Sequence, residues 1–190
     1  TQYAIEIWVN SMDFRIKLYE FYDYFHSKIN NKVKIFIGYD SKHTTLSKVC
    51  ERSIRKYNQE IEIEFLDINA IPEYIREWDK QTTEFTYSRF LVPWLMNYEG
   101  VGIFCDDDFV WQCDPVELLY SLEPDKAVSV VKHNFKKDLS GKKLDNQDNV
   151  MYPKKLWSSL MMFNCGHSDC HNLTPKEVNE KSGQWLHQFY

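Results

Sequence analysis

The most restrictive feature of the chain is an alternation of short apolar runs with one helical stretch. Val33-Lys34-Ile35-Phe36-Ile37 is an apolar strand that ends in Gly38-Tyr39-Asp40. Ile61 to Leu66 is a second strand, with Glu62 and Glu64 turned away from Ile61, Ile63 and Phe65. Between them, residues 44 to 57 set Leu46, Val49, Cys50, Ile54 and Tyr57 at helical spacing on one face. Strand, helix, strand points to parallel strands joined by a crossover helix. Val101 to Cys105, Ala127 to Val131 and Leu160 to Phe163 read as three further strands. The class is therefore α/β, an αβα sandwich around a mixed, mostly parallel sheet.

Residues 86 to 98 predict another helix, interrupted at Pro93, with Tyr87, Phe90, Leu91, Trp94 and Tyr98 on its main apolar face. Arg89 falls off that face but shares a side with Val92 and Met96. A guanidinium on a partly apolar surface needs an anionic partner. Thr174 caps a short helix that opens with Pro175. Residues 136 to 150 are polar and rich in Lys, Asp and Asn, which reads as a mobile loop. Phe14, Leu18, Phe21, Tyr22, Phe25 and Ile29 make an amphipathic helix over residues 13 to 29, preceded by a strand or arm at Tyr3 to Val9. Residues 1–32 are thus expected to form a helical extension packed on a core of residues 33–190.

A length of 190 residues suits one domain with a sizeable core, and 43% hydrophobic against 27% charged residues excludes disorder. A net charge of -5 with scattered Lys and Arg argues against a nucleic-acid partner. The longest apolar run, Phe90 to Met96, is too short for a membrane span. Five cysteines without a regular framework read as reduced thiols, and the location expected is cytoplasmic.

Chemistry concentrates at Asp106-Asp107-Asp108, directly after an apolar strand. In extended backbone Asp106 and Asp108 point one way and Asp107 the other. Clustered carboxylates repel, and a hard divalent cation relieves that repulsion. Ligands of open α/β sheets bind at the carboxyl ends of the strands, where the triplet sits. An acidic turn before Pro115 is the plainer alternative.

Phe104-Cys105-Asp106-Asp107-Asp108 resembles the Asp-X-Asp motif of glycosyltransferases with the GT-A fold. Three further blocks resemble the family 8 type of these enzymes in the same order: Lys34 to Asp40, Thr83 to Pro93, and Trp157-Ser158-Ser159-Leu160-Met161-Met162-Phe163-Asn164. The match covers roughly residues 33 to 190, and four ordered blocks are more specific than one motif.

The resemblance implies a GT-A nucleotide-sugar-binding domain. Asp106 and Asp108 would hold Mn2+ or Mg2+ against the diphosphate of a nucleoside diphosphate sugar, with a UDP-sugar favoured. Gly38, Tyr39 and Asp40 would hold base and ribose. Arg89 would pair with the acidic cluster or the sugar-phosphate, and Trp157, Ser158 and Ser159 would line the donor sugar pocket. Asp107, Lys132 and His133 join the nucleotide- and substrate-binding set. The acceptor is a hydroxyl of a carbohydrate, lipid or protein, and the family implies retention of configuration. Glu84 is the one candidate for a catalytic carboxylate, because it precedes Arg89 in the shared block. The family's third metal ligand, a late histidine beside Lys-Pro-Trp or Gly-Pro-Trp, has no counterpart, and His187 does not take its place. A domain lacking the family's C-terminal segment is therefore expected.

Other constellations favour plainer readings. Cys165-Gly166-His167-Ser168-Asp169-Cys170-His171 is a single cluster, where a structural zinc site wants two, and reads as a loop. Trp78, Trp94 and Trp111 read as core. His26 reads as packing, and Lys136, Lys137, Lys142 and Lys143 as a solvated loop. Two other functions compete with the transferase: a non-catalytic nucleotide-sugar-binding module, and another divalent-metal-dependent phosphate enzyme.

Overall fold

The structure is a computed structural model, and it describes residues 32–76, 83–133, 141–142, 148–149 and 154–188. The expected helix at 13–29, the arm before it, His26, Trp78 and most of the 136–150 loop lie outside the described residues. So does nearly all of the expected extension at 1–32.

Five strands form an open sheet in the order β2-β1-β3-β7-β4: β1 (Val33–Gly38), β2 (Glu62–Leu66), β3 (Val101–Cys105), β4 (Val128–Val130) and β7 (Leu160–Asn164). β1 pairs in parallel with both β2 and β3, while β7 runs antiparallel between β3 and β4. Four strands therefore point one way and β7 against them. The α/β class and the mixed sheet expected from the sequence are present. A two-stranded ladder, β5 (Gly141–Lys142) with β6 (Asp148–Asn149), falls where the sequence suggested a loop.

Both faces of the sheet are covered, which is why the central strands read as continuous apolar runs. Alternation sends Phe36 and Phe104 to one side and Ile35, Ile37, Ile103 and Cys105 to the other. The second side packs against α1 (Thr44–Arg55) and Trp111. α1 touches the sheet through a narrow stripe, Ser47, Cys50 and Ile54, spaced three and four apart. Leu46, Val49 and Tyr57, expected on that face, are exposed. The first side packs against residues 85–96 and the C-terminal helices α3 (Pro175–Glu180) and α4 (Gly183–Leu186).

The long helix expected over 86–98 is instead two short pieces, a 3-10 turn at Ser88–Leu91 and then α2 (Val92–Leu95). Pro93 lacks an N–H and its ring excludes the preceding turn, so α-helical bonding begins only at its side. Asn97 and Tyr98 then take positive φ and end the helix. Its deeply buried members are Phe90, Leu91, Val92 and Met96, whereas Tyr87, Trp94 and Tyr98 keep partial exposure. Arg89 thus lies on the inner side with Val92 and Met96. Gly102, in the middle of β3, makes this approach possible, since a Cβ there would stand 2.4 Å from Val92 Cγ1.

Thr174 accepts from Glu177 N at 3.2 Å, the cap that the sequence predicts. All five cysteines are free. Among the described residues no helix is long and apolar enough to cross a membrane.

Candidate functional site

The parallel strands share a carboxyl edge, and β7 enters the sheet from that same edge because it runs the opposite way. Cys105 faces Leu160 in the ladder, and Asp106 N donates to Ser159 O at 2.9 Å. The topology therefore brings Gly38-Tyr39-Asp40, the Asp triplet, Lys132-His133 and Trp157-Ser158-Ser159 to one end of the sheet.

Arg89 reaches this edge from below. Its guanidinium lies 2.8 Å from Asp106 Oδ1 and donates to Ser158 O at 2.7 Å, while Nε donates to Phe85 O at 3.3 Å. The Phe104 and Phe85 rings flank it, with centroids at 4.7 and 5.3 Å. Asp106 is thus the anion that the sequence demands for Arg89. The pairing is electrostatic in character, because Asp106 Oδ1 is buried without a well-aligned hydrogen bond. Burial pushes the Asp106 carboxyl up, Arg89 pulls it down and Asp108 adds to the rise.

The triplet turns as it leaves β3, with Phe109 N directed at Asp106 O at 3.4 Å. Strand alternation therefore does not set its geometry. Asp106 is half-buried, Asp107 is 7% exposed and Asp108 is open to solvent. Asp107 is raised to about 6, first by burial and then by the charges of Asp108, Asp106 and Asp40. Four carboxylates thus crowd one edge with one guanidinium among them. That excess of carboxylate fits a cation held by Asp106 and Asp108. Among the described residues no group of three or more His, Cys, Asp or Glu is arranged around one metal position. The protein would supply part of a coordination shell, as a Mg2+ or Mn2+ site completed by phosphate and water requires.

Beside the triplet, Glu84 is fully engaged. Its Oε1 accepts from Ser41 Oγ at 2.6 Å and its Oε2 from Ser41 N at 2.9 Å. Asp40, 3% exposed, accepts from Lys42 N and Glu84 N at 3.0 and 3.4 Å. These bonds fasten the loop after β1 to residues 83–85, so Glu84 acts as a clamp. Gly38 lies under Phe85, whose ring would stand 2.7 Å from a Cβ at that position. Tyr39 is half-buried against Phe65. Of the three residues expected around base and ribose, Tyr39 is the one with a side chain that reaches solvent.

Ser158 and Trp157, expected in one pocket, point apart. Ser158 is 4% exposed, and its Oγ lies 2.9 Å from His187 Nε2. His187 Nδ1 is 2.7 Å from Gly183 O, and a carbonyl only accepts, so Nδ1 carries the ring proton. Ser158 Oγ–H therefore donates to Nε2, and Oγ receives a long 3.4 Å contact from Arg89. His187 is lowered to about 4, first by burial and then by the charges of Arg89 and Lys155, against a rise from its bond to Gly183 O. The sequence sets His187 aside as a metal ligand, and its partnership with Ser158 is not legible there because no motif surrounds it. The relay from Asp106 through Arg89 and Ser158 to His187 joins the acidic edge to α4.

Trp157 instead lines a cleft of about 470 Å³ along β4, with Lys132 and Lys154. Its indole N–H donates to His133 O at 3.3 Å. Ser159 is half-buried beside Asp106. The Cys165–His171 stretch is a turn followed by a 3-10 helix, in which Cys165 and Cys170 point their thiols at carbonyl oxygens.

The chain is similar to Protein CDI of Arabidopsis thaliana. The two are 35% identical over 162 residues, covering 82% of this chain and 62% of that protein. The chain thus spans less than two thirds of this relative's length. No family model matches the chain, and no solved structure matches it.

Proposed function

We propose that the chain is a metal-dependent glycosyltransferase of GT-A type, transferring sugar from a nucleoside diphosphate sugar, UDP-linked by preference, to an acceptor hydroxyl. The reading is carried by the crowding of Asp106, Asp107 and Asp108 at the carboxyl edge, with a single buried guanidinium against Asp106. Asp106 and Asp107, raised first by burial and then by neighbouring carboxylates, are poised to release protons when a cation arrives. Mn2+ or Mg2+ would act there as a Lewis acid on the departing diphosphate.

Within this reading the side chains divide the work. Asp106 and Asp108 grip the metal. Arg89, enclosed by Asp106, Ser158 and Phe85, fixes the Asp106 carboxylate. Tyr39 offers a ring to the base, and Asp40 and Glu84 hold its loop in place. Ser159 and the backbone near it face the donor sugar, while Lys132 and His133 lie where basic groups can offset phosphate charge. Retention of configuration follows from the family resemblance alone. A non-catalytic nucleotide-sugar-binding module is the competing reading, favoured by the engagement of both Glu84 oxygens with Ser41.

Thermal unfolding with UDP-, GDP- and CDP-sugars, each with and without Mn2+, tests the proposal. A ligand specific to the folded state raises the midpoint. The expected result is a rise that needs both nucleotide sugar and metal and is lost in Asp108→Ala. No rise with any donor would sink the reading, and a rise without sugar release would favour the binding module.

A further inference from the structure

α1 touches the sheet through Ser47, Cys50 and Ile54, so most of its circumference faces outward. Two rows of side chains run along that outer side. Lys48, Arg52 and Lys56, four residues apart and all exposed, form one row. Leu46, Val49, Ser53 and Tyr57, spaced three and four, form the row beside it. Lys56 and Tyr57 continue the coil of the helix, since their amides donate to Arg52 O and Ile54 O at 3.2 and 2.9 Å. Ser53 Oγ accepts from Trp111 N at 2.9 Å, which brings Val110 alongside the second row. Val49 is 47% and Val110 57% exposed, so the rest of the fold leaves this apolar row in water.

We infer that this face of α1 docks the chain on an anionic lipid surface, with the basic row at the headgroups and the apolar row reaching below them. The docking does not rest on the transferase reading.

Charge selects the partner. Glu51 is the acidic residue of α1, and Arg55 holds it at 3.8 Å. Among the described residues no carboxylate stands within ion-pair distance of Lys48, Arg52 or Lys56. Lys56 donates to the neutral Tyr57 hydroxyl at 3.3 Å, which leaves its charge in place. Three positive charges thus line one face of a chain whose net charge is -5. α1 crosses between the parallel strands β1 and β2, so the basic row leads away from the carboxyl edge and the Asp triplet. Lysine is depleted from the cores of protein interfaces, whereas Lys and Arg beside aliphatic side chains mark a helix lying in a bilayer interface. Residues 13–29 set Asp13, Glu20 and Asp23 against Arg15, Lys17 and Lys28, so that segment offers no net charge to match the face.

Co-sedimentation of the full chain with lipid vesicles tests the inference, with a chelator present so that no metal bridges the acidic edge to the headgroups. Vesicles containing phosphatidylserine should bind the chain at least about tenfold more tightly than phosphatidylcholine alone, since each cation near an anionic surface adds roughly fivefold. High salt should weaken that binding. Lys48→Glu with Arg52→Glu should erase the preference, and Leu46→Ser with Val49→Ser should weaken phosphatidylserine binding about fivefold. All four side chains are exposed, so both double variants should keep the fold, which circular dichroism checks. Equal binding to the two lipids, binding to neither, or binding unchanged in either double variant would overturn the inference. A dimer in sedimentation velocity that Lys48→Glu with Arg52→Glu dissolves would also overturn it, by giving the face to a second copy of the chain.

Discussion

Replacing Asp107 with Asn should stabilise the protein at neutral pH, and the pH dependence should reveal a hidden opposing group. Asp107 is raised from 3.8 to about 6 in the folded state. Between those values the folded protein holds a proton that the unfolded chain has released, so stability falls as pH rises through the window. The penalty is complete above about pH 6 and corresponds to about 3 kcal/mol, at about 1.4 kcal/mol per pH unit. His187 acts in the reverse sense. It is lowered from 6.5 to about 4, so the unfolded chain takes up a proton first as pH falls. Stability from that group is intact above about 6.5 and is lost on the way down to about 4, again by about 3 kcal/mol. The two contributions offset each other in the wild type. In Asp107→Asn the Asp107 part of the falling limb disappears and only that of the raised Asp106 is left, so stability should climb by up to about 3 kcal/mol from pH 4 to 6.5. Urea unfolding followed by circular dichroism at half-unit pH steps measures this, with m compared to confirm an unchanged denatured state. An Asn variant no more stable than wild type at pH 7.5, or one with an unchanged pH profile, would refute the electrostatic account of the triplet.

Arg89→Met should cost up to about 3–5 kcal/mol, because it strands the half-buried Asp106 carboxylate; adding Asp106→Asn should recover most of the loss in the same urea assay. Gly102→Ala should destabilise by about 1–3 kcal/mol through overpacking on Val92, with partial rescue by Val92→Ala in a double-mutant cycle. Ser158→Ala should leave His187 Nε2 without its donor at a cost of about 1–3 kcal/mol, and the His187 titration, followed by NMR, should move upward from about 4.

Much of the sheet was legible because both of its faces are buried, so β1, β3 and β7 stand out as apolar runs that stop at Gly38, Asp106 and Asn164. Arg89 was legible for a different reason: a guanidinium between Val92 and Met96 demands an anion, and Asp106 meets it. The helix over 86–98 misled because its apolar spacing is genuine while Pro93 and the positive φ of Asn97 and Tyr98 break it. On α1, Leu46 and Val49 have helical spacing but face solvent, since contact with a sheet needs only the Ser47–Cys50–Ile54 stripe. The alternation argument for Asp106 and Asp108 assumed extended backbone where the chain turns. Trp157 and Ser158 are neighbours in sequence and point to different places, one to a cleft and one to His187. No spacing rule carries that information, because it depends on where β7 begins and on α4, which follows it by about twenty residues.

Binding of Mn2+ followed by electron paramagnetic resonance tests the central claim most directly, since the signal of free aqueous Mn2+ falls as the ion is bound. In the presence of a UDP-sugar the wild type should deplete the free signal at a one-to-one ratio, and Asp106→Asn and Asp108→Asn should each abolish that depletion while remaining folded. Depletion that persists in both variants, or none in the wild type with any nucleotide sugar, would contradict the assignment of the acidic edge as a metal and nucleotide-sugar site.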